Sequence, residues 1–363
     1  MVASGVREWA DAQVYRSAID LVELGWSAEW QLALDATPHD GLAPARVATQ
    51  HRRGYGLLTA DGEAVAAISG KLRHDARAAT DLPAVGDWVL VRDRTIQAVL
   101  PRRTRFSRQA AGGRTDEQIV AANVDTVFVV MGLDPDFNLR RLERYLTFAW
   151  ESGAEPVVLL TKADLAVDIA ARAEEAERST PGVAVHPVSV VTGTGVDAVD
   201  ALLRDHRTYA FLGSSGAGKT TLINRLAGLS LATGGLRKDG RGRHTTTRRE
   251  LVVLPGRAVI LDTPGMRELQ VWQATRGTED AFADVGALAG SCRFSDCRHS
   301  GEPGCAVEAA IEGGTLDPER LQSLRKLERE AAHARIQHDA RAAAEARRDL
   351  RARMRKRNRI IPK

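Results

Sequence analysis

The sequence predicts an α/β protein with a small all-β module ahead of the α/β core and a helical, basic segment after it. Three observations carry that expectation. Between residues 45 and 106, five short β-prone runs (RVATQ, YGLLT, EAVAAIS, DWVLV and TIQAVL) are separated by Asp-Gly, Gly-Lys and proline-containing turns. From 124 to about 271, apolar runs alternate with stretches of helical periodicity, the rhythm of strands and helices around a mostly parallel sheet. Beyond Asp317-Pro318 the chain is rich in Ala, Arg, Glu and Leu and has neither glycine nor proline before Pro362, which predicts one long helix.

A chain of 363 residues with 44% hydrophobic content has room for two or three domains with buried cores. The N-terminus carries scattered acidic residues and no uninterrupted apolar run, so it does not read as a secretory leader. The longest apolar stretch, 124–133, contains Asp125 and is too short to span a bilayer, and a cytoplasmic protein is expected. The formal net charge of +4 is uneven: from Glu319 onward there are fifteen Lys/Arg against six Asp/Glu, a surplus of nine that leaves about −5 for the rest. A basic end on an acidic body suits a polyanionic partner such as nucleic acid, although a solvated helix gives the same count. Of the 51 basic residues 44 are Arg and only 7 are Lys, so a lysine that persists is expected to answer to chemistry.

The five β-prone runs suit a compact barrel, for which the oligonucleotide-binding (OB) fold is one candidate. Arg52, Arg53, Arg102, Arg103 and Arg105 are expected on its surface, where they could follow a phosphate backbone or be ordinary solvated charge. The divisions drawn from these patterns are an N-terminal extension (1–40), a barrel (41–112), an α/β domain (113–275) and a Cys/His-bearing helical domain (276–363).

Within the α/β region, Gly213, Ser214, Ser215, Gly216, Ala217, Gly218, Lys219 and Thr220 fit G-x-x-x-x-G-K-[ST], after an apolar strand and before a helix that begins near Thr221. Glycines let backbone N–H groups turn inward around phosphates, and the helix N-terminus adds positive potential. Lys219 is expected to meet the β and γ phosphates and Thr220 to ligate Mg²⁺. An ordinary glycine-rich turn is the bland alternative, which the scarcity of lysine disfavours.

Asp262-Thr263-Pro264-Gly265 follows another apolar strand, so Asp262 is expected at a strand's C-terminal end, organising Mg²⁺, with the Gly265 N–H toward a γ-phosphate. Between these motifs lies a Gly- and Arg-rich loop ending in His244-Thr245-Thr246-Thr247, similar to the first switch of a GTPase; Thr246 is the expected Mg²⁺ ligand. A guanine-reading [N/T]-K-x-D normally follows D-x-x-G. Downstream of Gly265 only Lys326, Lys356 and Lys363 occur, none with an Asp two residues on. Upstream, Thr161-Lys162-Ala163-Asp164 ends one strand, and Ser189-Val190 ends another, where backbone support for guanine O6 is expected. The motifs therefore run in circularly permuted order. A Thr/Asp helix cap is the alternative for the tetrapeptide alone.

With these motifs in view, the chain resembles the ribosome small-subunit-dependent GTPase A family. The likeness runs from about 45 to 307 and includes Val85-Gly86-Asp87-Trp88-Val89, Asp136-Phe137-Asn138-Leu139, TKAD, GSSGAGKTTL, GRHTTT and DTPG. It implies an OB-fold barrel, a circularly permuted P-loop GTPase domain and a C-terminal zinc domain. The only three cysteines fall in Cys292-x4-Cys297-x-His299-x5-Cys305, a set suited to one closed structural Zn²⁺, with buried free cysteines as the alternative. Thr161 in place of Asn is expected to remove an amide contact from the guanine loop, and Val190 in place of Ala adds bulk there.

The resemblance further implies GTP and GDP as ligands, Mg²⁺ with the nucleotide, slow hydrolysis stimulated by the small (30S) subunit, contact with 16S rRNA, and a monomer acting late in 30S maturation. Met266 stands where many GTPases carry a water-orienting glutamine; the resemblance implies His244 as the candidate for that role, with a solvent-exposed or RNA-facing loop histidine as the alternative. The competing readings are a nucleotide-gated RNA-binding protein whose hydrolysis is incidental, and a P-loop ATPase.

Overall fold

The computed structural model describes residues 19–51, 54–109, 117–228, 250–262 and 276–360. The five β-prone runs become β1 (Ala43–His51), β2 (Gly54–Thr59), β3 (Gly62–Ile68), β4 (Trp88–Arg92) and β5 (Thr95–Val99). They close in the order β1-β2-β3-β5-β4, with β1 pairing β4 to complete the ring and β3 running parallel to β5. A short helix follows β3, α2 (Gly70–Asp75), capped by Ser69; α1 (Ala28–Asp35) precedes the barrel. This closed five-stranded barrel fits the architecture expected of an OB-fold. Inside sit Ala45, Val47, Leu57, Val89 and Ile96, every other residue facing inward as strand period requires.

Strands β6 (Arg105–Gln109) and β7 (Glu117–Ala122) pair antiparallel across the division drawn at 112/113, which itself lies outside the described residues. They lead into β8 (Thr126–Gly132), β9 (Glu155–Thr161), β10 (Val185–Pro187), β11 (Thr208–Leu212), β12 (Glu250–Leu254) and β13 (Ala258–Asp262). The sheet order is β10-β9-β8-β11-β13-β12, parallel throughout except for the antiparallel edge strand β12. The chain winds outward from β8 to β10, then returns to the other side of β8 to lay down β11. The strand order thus reverses between β8 and β11, where open α/β sheets bind ligands.

Because both faces are covered, β8 is buried along its whole length and reads as a continuous apolar run. One face packs on α3 (Leu139–Ser152) through Leu142, Leu146 and Ala149, and the same core continues to Trp88 and Trp30 beside the barrel. The other packs on α5 (Val196–Leu202) and α6 (Lys219–Ala227) through Val199, Leu222 and Ile223. Helix α4 (Ile169–Ser179) joins β9 to β10.

Arg46 fastens the barrel to the sheet. Its buried guanidinium donates to the carbonyls of Leu24, Gly86 and Asn123 and, at 2.7 Å, to Thr208 Oγ1 on β11, and lies 5.4 Å from the Trp88 ring. Burial pulls its pKa down to about 10, still far above neutrality. The barrel arginines depart from the surface expectation in part. Arg102 is largely buried and holds Asp87 bidentately at 2.8 and 2.7 Å, because a buried carboxylate needs that fork. Arg103 pairs with Glu29 and Asp125, Arg105 is exposed, and Arg52 and Arg53 lie outside the described residues.

The C-terminal region comprises α7 (Arg276–Ala281), α8 (Ala283–Ala289), α9 (Ala306–Glu312) and the long α10 (Pro318–Ile360). Its apolar side, Phe282, Val285, Val307, Leu316, Leu321 and Leu327, joins the core that α3 builds.

Candidate nucleotide and metal sites

Three motif-bearing strands, β9, β11 and β13, are parallel and end on the same edge of the sheet. That edge gathers the TKAD tetrapeptide, the phosphate loop and the backbone of Asp262. The Asp262 side chain, Gly265, Met266, His244 and Thr246 lie outside the described residues.

The phosphate loop leaves β11 under tight steric control. A side chain at Gly213 would stand 2.3 Å from the Val130 carbonyl oxygen, so only glycine lets the loop pass β8. Gly216 and Gly218 take left-handed backbone conformations (φ 82° and 87°), which turn the chain into α6. No side chain among the described residues caps α6, and Gly218 stands at its N-cap. The Lys219 ammonium lies across the loop, donating to Gly213 O at 2.7 Å and Ser214 O at 2.6 Å. Ser215 and Gly216 are exposed at the loop's crest, Ala217 is buried beneath it, Thr220 is half-buried and Thr221 exposed on the first turn of the helix.

TKAD touches this loop directly. Thr161 Oγ1 donates to Ala217 O at 2.5 Å, with Met131 O alongside at 3.3 Å. The contact expected to be missing without Asn is thus replaced by a hydroxyl bond to the loop itself. Lys162 stands in the left-handed region (φ 57°) and its ammonium meets Asp134 Oδ2 at 2.5 Å. Ala163 is buried and donates its N–H to Val188 O at 3.1 Å, while Asp164 is exposed with Oδ1 accepting from Ser189 Oγ at 2.5 Å. Ser189 is fully buried, and its hydroxyl oxygen also accepts from Thr192 N at 3.2 Å, which shapes the loop that carries half-buried Val190. Residues 164 and 189 are therefore brought to one point, on an exposed part of the same edge.

Two acids at the end of β8 were less legible. Asp136 belongs to a motif that the sequence singled out, but its partners did not show: Oδ2 accepts from Ser214 Oγ at 2.7 Å and from Arg141 at 2.6 Å, so α3 is tied to the phosphate loop. The Arg141 hydrogen bond first, and that of Ser214 second, hold its carboxyl below the usual carboxylate range. Desolvation works to raise Asp134, yet the bonds from Lys162 and from Asp136 N outweigh it and leave its pKa lowered.

The Cys/His segment also closes on itself. Cys292 Sγ lies 4.0 Å from Cys305 Sγ and 3.6 Å from His299 Nδ1, and Cys305 Sγ lies 3.4 Å from His299 Nδ1. Together with Cys297, all four donor atoms fall within 4.8 Å of one another. A tetrahedral zinc site with ordinary bond lengths has S···S edges of about 3.8 Å and S···N edges of about 3.6 Å, so the donor set fits that ion. Cys305 caps α9 by accepting from Glu308 N, and Arg325 of α10 donates to the carbonyls of Arg298 and His299, bracing the loop from outside.

The model of the RsgA GTPase family matches residues 99–272. The chain is 48% identical over 331 residues to the small ribosomal subunit biogenesis GTPase RsgA of Opitutus terrae, covering 86% of this chain and 90% of that one. It is 46% identical to RsgA 2 of Lactiplantibacillus plantarum, with 87% and 90% covered, and 43% identical to RsgA of Streptomyces coelicolor, with 92% of each covered. Among solved structures, YjeQ from Thermotoga maritima aligns with a TM-score of 0.60 at 24% identity, over 80% of this chain and 99% of that one. YloQ, described as a circularly permuted GTPase, aligns at 0.58 and 23% identity, over 82% and 97%. At such identity the structural likeness speaks for the fold.

Proposed function

The chain belongs to the RsgA GTPase family, and on that premise we propose that it binds and hydrolyses GTP while acting in biogenesis of the small ribosomal subunit. One observation carries the reading: the Thr161 hydroxyl on the phosphate loop, which joins the base-reading and phosphate-binding motifs of a permuted chain into one site. In this reading Asp164 accepts from guanine N1–H and N2–H, its other oxygen held by Ser189, and the backbone around Val190 supports O6. The loop of Gly213, Ser214, Ser215, Gly216, Ala217 and Gly218 wraps the phosphates with its N–H groups. Lys219 leaves its own loop carbonyls for the β and γ phosphates, and Thr221 adds a hydroxyl at the helix start.

Mg²⁺ bound with the nucleotide neutralises charge between the β and γ phosphates, and Thr220, Asp262 and Thr246 are the residues proposed to hold it. His244 orients the attacking water and the Gly265 N–H reports the γ-phosphate. Cys292, Cys297, His299 and Cys305 hold one structural Zn²⁺, which keeps the loop from 292 to 305 in shape. The barrel and zinc module contact ribosomal RNA, and the protein works as a cytoplasmic monomer. Among the described residues no helix is long and apolar enough to cross a membrane.

The test is GTP turnover by the purified protein with and without small ribosomal subunits. Turnover that rises with subunit concentration supports the proposal, and an unchanged rate overturns it. The names of the relatives favour hydrolysis as a working step over the reading in which it is incidental.

A further inference from the structure

The zinc-binding loop presents an aromatic side chain for which the core has no use. Phe294 lies between Cys292 and Cys297, is 44% exposed, and belongs to none of the buried clusters. Among the described residues it is the one large exposed apolar side chain between Gly290 and Arg329. Its position is set by the loop: Cys297 N donates to Phe294 O at 3.3 Å, closing a turn, and the neighbouring Cys292 is one of the four clustered donors. Leaving a phenyl ring half in water forfeits burial that a Ser or Asp at the same position would not need.

A cation sits on that ring. The Arg293 guanidinium lies 5.5 Å from the Phe294 centroid. The Arg293 backbone is held at this point, since its N–H donates to Gly304 O at 3.1 Å and its Cβ stands where a side chain on Gly304 (φ 77°) would come within 3.0 Å. Nearby acids are occupied. Both Glu302 oxygens accept backbone N–H groups, from Arg298 and Ser300, and Glu308 accepts from Gly301 N. That leaves Asp296 as the remaining acid of the loop beside Arg293 and Arg298, with Arg325 and Arg329 on the adjoining face of α10.

We propose that Phe294 and Arg293 form a stacking platform for an unpaired nucleobase of RNA, the base lying on the exposed part of the ring and its phosphate meeting Arg293 and Arg298. The chemistry favours RNA over a protein segment: a single exposed ring with a guanidinium against it and further arginines on the same loop and on α10 lacks the apolar neighbours that a buried protein anchor requires, whereas one aromatic face with nearby cations is sufficient for an unstacked base. The inference rests on the proposed contact between the zinc module and ribosomal RNA and names the residues that make it.

The experiment uses the full-length chain with zinc content verified, a non-hydrolysable GTP analogue and purified small ribosomal subunits. Phe294→Leu is expected to weaken subunit binding by roughly five- to 150-fold, the range of one stacked base, with unchanged zinc content and unchanged subunit-independent GTP turnover. Phe294→Trp is expected to restore binding. The salt dependence should keep its slope in Phe294→Leu and lose about one unit in Arg293→Gln. Irradiation at short ultraviolet wavelength should leave a nucleotide adduct on the peptide carrying Phe294. Wild-type-like binding by Phe294→Leu, failure of Trp to restore it, or crosslinking of this peptide to a ribosomal protein would each overturn the platform. Failure of the wild-type chain to bind the subunit would instead sink the broader functional reading.

Discussion

The guanidinium of Arg320 on α10 and the carboxylate of Glu143 on α3 meet at 3.2 Å in a site where both side chains are almost wholly excluded from water. Around that contact Arg320 also donates to Ser179 O, Ala281 O and both oxygens of Asp284, and it lies 4.6 Å from the Phe282 ring. Glu143 in turn accepts from Arg140 and Ser179. Arg320 thus uses its whole fork of donors to tie the long basic helix to the α/β domain, beside the Arg144–Glu330 and Arg140–Asp317 ion pairs.

Breaking this pair on one side should be costly. Arg320→Met leaves buried Glu143 and half-buried Asp284 beside an apolar stem, and a loss of about 3–5 kcal/mol is expected on denaturant unfolding. Arg320→Lys should recover little, since an ammonium cannot reach all five acceptors. The double variant Arg320→Met, Glu143→Met should be less destabilised than the two single losses added together. Additive losses would show that the two residues do not act as a pair.

Thr161→Val removes the hydroxyl while keeping the shape, so the Ala217 and Met131 carbonyls lose a donor. Nucleotide affinity is expected to fall about two- to twelvefold, the equivalent of one hydrogen bond, in a titration with a fluorescent GTP analogue. An unchanged affinity would show that the bond does not order the loop.

Base choice should depend on Asp164. Asp164→Asn is expected to lower GTP affinity more than a hundredfold, because the amide offers a donor where the guanine also donates, whereas ATP should compete poorly with the wild-type chain. Equal competition by ATP and GTP in the wild-type protein would contradict the guanine assignment.

Acid stability should involve Asp136. Arg141 and Ser214 lower its folded-state pKa below the unfolded value of about 3.9, so its contribution is complete above that value and disappears as pH falls through the lowered one. Unfolding free energies measured from pH 6 down to pH 2 should therefore decline less steeply for Asp136→Asn than for the wild type. An identical acid limb would refute the linkage.

Zinc should be a folding ligand of the C-terminal module. Cys305→Ser removes both a donor and the cap on α9, and is expected to reduce bound zinc from one ion per chain to well below half in metal analysis, with a lower melting temperature that excess chelator reproduces in the wild type. Full zinc occupancy in Cys305→Ser would exclude it as a ligand.

What the sequence determined by itself was local or periodic. The five barrel runs, the alternation of apolar strands and helices, and the phosphate loop between β11 and α6 were readable because each depends on neighbours a few residues away. The cluster of Cys292, Cys297, His299 and Cys305 was readable for the same reason. Motif order added one long-range inference, since TKAD upstream of the phosphate loop made permutation the consistent arrangement, and the sheet order agrees.

Only the tertiary structure decided which distant polar groups meet. Ser214 reaches Asp136 across 78 positions, Arg320 reaches Glu143 across 177, and Arg46 reaches Thr208 across 162. In sequence Arg46, Arg102 and Arg320 look like the other arginines of an Arg-rich chain; Arg102 was expected on the barrel surface, and nothing singled out Arg46 or Arg320. Their burial becomes affordable only when the fold brings carbonyls and carboxylates from several elements to each guanidinium, because an ion leaves water only where enough such partners converge on it.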